Sequence, residues 1–236
     1  MTNIPIPANT NIFLQNGMFN NFKTVGDISN LISQATNRPT GAIVNNTGMT
    51  DDIFEYMPNE LVLRDALNGE VYQQIDQHNL ANNQRTLIIA HSAGNNDNMK
   101  GNQVLQLTKT KVSTIDVMNV ASPISQNRMR QNLDQTGMNI LNTYNNIWDP
   151  VTNGKTWGVG VLGAGVLAAK AAGMYTAATS GLELYFTGTM GAGAAGTAGY
   201  LSLKFQHPYS SYHNKDFKGL RTDIGNWAQE NPVGAR

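Results

Sequence analysis

The sequence contains no cysteine and few charged residues. Without cysteine the chain forms no disulfide, offers no thiol nucleophile and has no thiolate to ligate a metal. Charged residues make up 14% of the 236 residues, and 16 Lys+Arg against 16 Asp+Glu give a formal net charge of +0. A chain with this charge balance has no excess of positive charge of the kind found in nucleic-acid-binding proteins. It also has no polybasic patch of the kind that binds anionic membranes. We therefore expect no nucleic-acid partner.

The first residues also lack the features of a secretory signal. The start, MTNIPIPANTN, has neither a basic n-region nor an apolar h-region. The absence of cysteine does not identify a compartment, because a cysteine-free chain works in the cytosol, the periplasm or the medium. The localisation is therefore open. We expect that a secreted form would leave its cell by another route or as a piece of something larger.

Apolar patterns alternate between strand and helix over residues 1–155. Helical spacing covers 22–35, the stretch after Pro58, 104–107 and 125–134. The helix after Pro58 is predicted to have one apolar face, formed by Leu61, Leu67, Val71, Ile75 and His78. Strand patterns occur at 11–15, 41–44, 87–89, 112–120 and 139–147. The alternation predicts an α/β fold, a mostly parallel sheet of about five or more strands sandwiched by helices, with its site at the carboxyl ends of the strands.

The composition changes over residues 156–203. This stretch is rich in Gly, Ala and Thr, and its only charges are Lys170 and Glu183. It predicts a Gly/Ala-rich lid or cap inserted between the first part of the core at 1–155 and a core completion at 204–236, which ends in a helix. Its glycines at 158–163 match the dinucleotide fingerprint, but no strand precedes them, so we expect no such cofactor.

The stretch RTLIIAHSAGN at 85–95 carries the strongest functional signal. A short apolar run ends at AHSAG, where small residues flank Ser92 at alternate positions. Small neighbours suit a sharp strand-to-helix turn that strains the serine backbone and exposes its Oγ above the sheet. This pattern is typical of a nucleophile elbow and makes Ser92 the candidate nucleophile. The alternative interpretation is an ordinary turn at a strand end.

A serine nucleophile needs a base, and that base needs an acid to orient it. Asp149 directly follows the fifth predicted strand and is the candidate acid, with an Asp-Pro turn as the alternative. Asp116 lies inside a predicted strand and Asp97 lies on the helix after the elbow. Neither is placed to reach a base beyond the last strand.

Four histidines are candidates for the base. His207 and His213 lie in a predicted loop between the last strand and the final helix, where the base is required. His78 lies on a helix before the elbow and is expected to be a packing or surface residue. His91 points to the opposite face from Ser92 and is expected to be structural or to line the substrate site.

Acyl transfer also needs hydrogen-bond donors for the developing oxyanion. The backbone N–H of Ala93 is expected to supply one. The second is expected from the loop after the first strand, at Gly17 and Met18, because glycine lets the backbone approach the substrate closely. Asn16 would line the substrate there, and the alternative for this loop is a plain turn. No metal site is expected.

Together these segments resemble the α/β-hydrolases of the lipase type, and above all the lipase-like, phospholipase-type hydrolase domains of bacterial secreted effectors and polymorphic toxins. In such domains a tyrosine commonly follows the histidine by a few residues, which favours His207 with Tyr212 over His213. Ala90 departs from the glycine usual at that position. The resemblance rests on Asn16-Gly17-Met18, Asn46-Thr47-Gly48, Ala90-His91-Ser92-Ala93-Gly94, Asn119-Val120-Ala121-Ser122-Pro123, Trp148-Asp149-Pro150-Val151 and His207-Pro208-Tyr209-Ser210-Ser211-Tyr212.

The resemblance implies a serine esterase without cofactor, often a lipase or phospholipase, that acts on membrane lipid as a secreted antibacterial effector at a target-cell membrane. It also implies an immunity or delivery protein as a partner. A soluble esterase or thioesterase with a small-molecule substrate is one alternative. Another is a membrane-inserting toxin domain, since 184–203 is uncharged and about as long as the ~20-residue bilayer span. A non-catalytic binding module on the same fold is a third alternative.

Overall fold

The computed structural model of the protein describes residues 6, 9–15, 22–44, 63–146, 149, 152 and 208–233. Strands and helices alternate in the described chain up to residue 144, as the apolar patterns predict, and helical segments follow at 209–230. The elements are β1 (Ile12–Gln15), α1 (Phe22–Thr36), β2 (Gly41–Ile43), α2 (Leu63–Asn82), β3 (Thr86–His91), α3 (Gly94–Leu107), β4 (Ile115–Val120), α4 (Gln126–Leu133), β5 (Asn139–Tyr144), α5 (Tyr209–Asn214), a 3-10 helix (Phe217–Gly219) and α6 (Leu220–Glu230).

The five strands form one parallel sheet in the order β2-β1-β3-β4-β5. The chain moves outward from β1 to β2 on one side, and from β3 through β4 to β5 on the other. The order therefore reverses between β1 and β3. In open parallel sheets, ligands bind in the crevice outside the carboxyl ends of the strands at such a reversal. The predicted α/β architecture, with a parallel sheet between helices, is confirmed.

Each face of the sheet is covered by a helical layer. Leu87 and Ile89 of β3 belong to the core shared with α1, α5 and α6, whereas Ile88 and Ala90 belong to the core shared with α2, α3 and α4. The whole of β3 is buried. This explains its continuous apolar run, because a strand covered on both faces needs no polar alternation. Helices α5 and α6 therefore pack against the sheet in the same core as β1.

The buried face of α2 mixes apolar and polar side chains, so the apolar face predicted for this helix is only partly confirmed. Ile75 is buried in the core and Val71 packs against it. Leu67, predicted on that face, is 48% exposed. The side chains that α2 buries include Asp65, Asn68, Tyr72, Asp76 and Asn79. The physical reason is that several of these groups, among them Tyr72, Asp76 and Asn79, find hydrogen-bond partners in the fold. The Asp76 carboxylate, for example, accepts hydrogen bonds from the backbone N–H and the hydroxyl of Thr114 at 2.9 and 2.7 Å.

Helices α2 and α3 approach closely where Gly101 faces α2. A Cβ at Gly101 would lie 2.8 Å from Cε2 of Tyr72 and 2.9 Å from Cβ of Asn68. We predict that Gly101→Ala lowers the free energy of unfolding by about 1–3 kcal/mol through overpacking. Gly26→Ala in α1 is the matched control. A Cβ there meets nothing within 4 Å, and the higher helix propensity of alanine should add about 0.5–1 kcal/mol. Urea denaturation measures both, and equal effects would contradict the close packing.

A buried aspartate joins α6 to the amino ends of β3, β4 and β5. Asp116 in β4 accepts hydrogen bonds from Arg85 at 2.7 and 2.9 Å, from Nε1 of Trp227 at 2.9 Å and from Nδ2 of Asn139 at 3.0 Å. Burial alone would raise the pKa of Asp116, but these hydrogen bonds outweigh it and hold the pKa below its usual value. The expectation that Asp116 lies within a strand is confirmed, and its contacts give it a structural role.

Candidate active site

Ser92 occupies a strained turn between β3 and α3. Its φ is 56°, in the left-handed region that residues other than glycine rarely adopt. β3 ends at His91 and α3 begins at Gly94, so Ser92 and Ala93 alone make the turn. Such backbone strain costs about 1–3 kcal/mol and persists only where the surroundings enforce it. This is the backbone geometry that a nucleophile elbow requires.

Hydrogen bonds to the end of β4 hold the turn at Ser92 in place. The backbone N–H of Ser92 donates to the carbonyl of Val120 at 3.0 Å. The Nδ2 of the fully buried Asn95 donates to the carbonyls of Ser92 and Val120, at 2.9 and 3.2 Å. Asn95 therefore ties the turn to the neighbouring strand. Asn95 was not predicted to hold the turn; its signal in the sequence is an asparagine in the first turn of a helix, where the side chain readily bonds nearby backbone.

Ala93 is the N-cap residue of α3, with its backbone in the right-handed helical region. In the part of the chain that the structure describes, no backbone hydrogen bond is donated by the Ala93 N–H. The first N–H groups of a helix lack partners within the helix and favour negative charge. Both properties suit the predicted oxyanion donor. Ser92 itself is 0% exposed, unlike the exposed elbow serine that the sequence predicts.

The second predicted donor pair, Gly17 and Met18, lies outside the described residues, as does Asn16. The residue before them, Gln15, ends β1 and pairs with Ala90 of β3 in the sheet. The chain therefore leaves β1 beside the strand that leads into the elbow. This is the strand reversal described above, where the sheet favours a ligand site.

Asp149 follows β5 and is fully buried. Its Oδ2 accepts a hydrogen bond of 2.7 Å from the Tyr212 hydroxyl, and its backbone N–H donates to the carbonyl of Asn146 at 3.0 Å. β5 is separated from β3 only by β4. Ser92 and Asp149 therefore follow two strands of one parallel sheet, at its carboxyl edge.

His213 and His91 lie in one buried aromatic cluster. The ring of Tyr209 stacks on His213 and meets His91 edge to face, with centroids 5.7 Å apart in both pairs. Tyr209 belongs to the core on the α1 and α6 side of the sheet. His213 was expected in a loop, but it lies in α5, because Pro208 begins a helix there. His207, the first choice for the base, lies outside the described residues.

The environment of His213 makes protonation unfavourable. Burial lowers the pKa of His213, the Arg221 charge lowers it further, and Asp216 opposes both. A histidine titrates near pH ~6.5 in the unfolded chain. Because its pKa is lower in the folded state, its contribution to stability is complete above that pH and decreases as the pH falls through it.

We predict that wild type loses part of its free energy of unfolding between pH ~7.5 and ~5.5, where an unfolded histidine takes up its proton. His213→Gln should reduce this loss, since glutamine does not titrate. Urea denaturation at the two pH values measures the slope. Identical slopes for the two proteins would contradict a neutral, buried His213.

Comparisons of the chain with protein-family models, with curated proteins and with solved structures found no match. Among the described residues, no group of three or more His, Cys, Asp or Glu could hold a metal ion. No helix within the described ranges is long and apolar enough to cross a membrane. The predicted insert at 156–203, which includes the uncharged run at 184–203, lies outside those ranges.

Proposed function

We propose that the protein is a serine-dependent carboxylic ester hydrolase of the α/β-hydrolase type, with Ser92 as its nucleophile. The left-handed backbone of Ser92 between the central strand and a helix carries this proposal. Serine stands here in a backbone conformation that glycine adopts more freely, and a nucleophile elbow needs the serine side chain at this position. The neighbouring contacts of Asn95 support the same interpretation, because they hold the strained backbone in place.

The proposed chemistry is acyl transfer through a covalent intermediate. Ser92 Oγ attacks the ester carbonyl while a histidine removes its proton, and the N–H of Ala93 stabilises the oxyanion together with the predicted donors at Gly17 and Met18. The histidine returns the proton to the leaving alcohol, and a water molecule then releases the acid from Ser92. Asp149 orients the histidine and stabilises its positive charge.

The contacts of α5 favour His207 over His213 as the base. Tyr212 of α5 reaches Asp149 with its hydroxyl. The next residue, His213, points about 100° further round the helix and stacks on Tyr209. The charges that act on His213 come from Arg221 and Asp216. His207 directly precedes Pro208, the N-cap of α5, and gives the order Ser, Asp, His of the elbow hydrolases.

Membrane lipid is the proposed substrate class, and a secreted antibacterial effector the proposed role. Both rest on the resemblance of the sequence and on the weakly charged composition of 156–203. A surface of that kind could form an acyl-chain pocket or meet a bilayer.

The test is acyl release from phospholipid vesicles and from p-nitrophenyl esters of several chain lengths, comparing wild type with Ser92→Ala. Ser92-dependent cleavage of phospholipid supports both the hydrolase and the lipid substrate. Cleavage of short esters alone supports the hydrolase and contradicts the lipid substrate. Absence of any Ser92-dependent release contradicts the hydrolase. Vesicle leakage that is unchanged in Ser92→Ala would instead favour the membrane-inserting alternative.

A further inference from the structure

The hydroxyl of Tyr212 binds the candidate acid in a fully enclosed environment. Its oxygen lies 2.7 Å from Oδ2 of Asp149 and accepts a weaker hydrogen bond, at 3.3 Å, from the backbone N–H of Asn146. Tyr212 is 1% exposed and Asp149 is 0% exposed. The backbone N–H points at the phenol oxygen, so the phenol proton is directed to the carboxylate. The donor, the acceptor and the direction of the bond are therefore all defined.

This bond has two consequences for the carboxylate. A hydrogen bond to the charged form of a carboxylate favours that form, and it restricts rotation of the group. Burial raises the pKa of Tyr212, and the charge of Asp149 raises it further, so the phenol keeps its proton and remains a donor. Oδ2 therefore faces Tyr212, and Oδ1 lies on the other side of the carboxyl carbon.

We propose that Tyr212 is the positioning residue of Asp149, holding the carboxylate in the orientation in which its second oxygen meets the catalytic histidine. This inference rests on the proposed function. It adds a fourth side chain that acts through the acid and does not touch the substrate. The helix α5 begins at Tyr209, two residues after His207 in the sequence. The hydrogen bond from Tyr212 therefore connects this helix to Asp149.

Tyr209 provides a matched control on the same helix. It is 1% exposed, like Tyr212, and lies three residues before it. Its hydroxyl has no hydrogen-bond partner among the described residues. Tyr209→Phe and Tyr212→Phe therefore remove the same atom from equally buried rings. Only the second substitution removes a hydrogen bond.

The experiment measures kcat and KM for p-nitrophenyl ester hydrolysis in wild type, Tyr212→Phe, Tyr209→Phe and Ser92→Ala. Tyr212→Phe should lower kcat by about 10- to 100-fold with KM unchanged, the effect expected for a hydrogen bond to a charged group. Tyr209→Phe should stay within about twofold of wild type, because no hydrogen bond is lost. Thermal unfolding verifies that each variant is folded.

A double-mutant cycle with Asp149→Asn separates positioning from a general effect on the fold. If Tyr212 acts through Asp149, Tyr212→Phe should cause no further loss in the Asp149→Asn background. An equal loss in both backgrounds, or no loss in wild type, would overturn the inference and leave the proposed hydrolase standing. If wild type shows no Ser92-dependent hydrolysis, the proposed function fails and the inference fails with it.

Discussion

Replacing Ser92 by glycine should abolish ester hydrolysis and yet give a more stable protein than replacing it by alanine. Both variants lack the Oγ, so we expect kcat to fall by about 10⁶-fold in each, as when a nucleophile of this kind is removed. Ser92 has a φ of 56°, which glycine adopts freely and alanine does not. Relief of that strain should make Ser92→Gly about 1 kcal/mol more stable than Ser92→Ala.

Two measurements test the two parts of this prediction separately. Hydrolysis of p-nitrophenyl esters reports on the nucleophile, and urea denaturation reports on the strain. Retained hydrolysis in Ser92→Ala would mean that the nucleophile lies elsewhere. If the alanine variant were as stable as the glycine variant, the backbone of the elbow would not be strained, and the observation that carries the proposed function would be lost.

Asp149→Asn should lower kcat by about 10⁴-fold with little change in stability, the loss typical of a triad whose acid can no longer hold the histidine in its correct tautomer. Asparagine keeps the shape of the side chain, so its Oδ1 or Nδ2 can still meet the Tyr212 hydroxyl. The negative charge that stabilises the imidazolium is lost. Steady-state kinetics and urea denaturation on the same preparation give both quantities.

Asp116→Asn is the matched control for this substitution. Asp116 is also a buried aspartate, but it binds Arg85 and Trp227 within the core. Its replacement weakens the hydrogen bonds to the partly exposed Arg85 and to Trp227 and should lower the free energy of unfolding by about 1–3 kcal/mol. The kcat of the folded fraction should remain that of wild type. A loss of activity in Asp116→Asn with stability intact would exchange the roles assigned to the two aspartates.

Those parts of the candidate site were predictable from the sequence in which the neighbouring residue types determine the backbone conformation. Small residues around Ser92 between a buried apolar run and polar residues predict a strand-to-helix elbow, and the structure has a left-handed serine there. The position of Asp149 after the fifth strand was predictable for the same reason. The helix at Tyr209–Asn214 was not predicted, because six residues are too few to display a helical period.

The sequence alone determines the alternation of strands and helices, the parallel sheet and the position of the turn at Ser92, because periodicity and turn residues act over a few neighbouring positions. Only the tertiary structure decides the strand order β2-β1-β3-β4-β5, the burial of polar side chains on α2 and the hydrogen bond between Tyr212 and Asp149, which are 63 positions apart. These features depend on which distant segments meet. A buried polar side chain is stable only when such a segment supplies its hydrogen-bond partner, and no local pattern in the sequence specifies that partner.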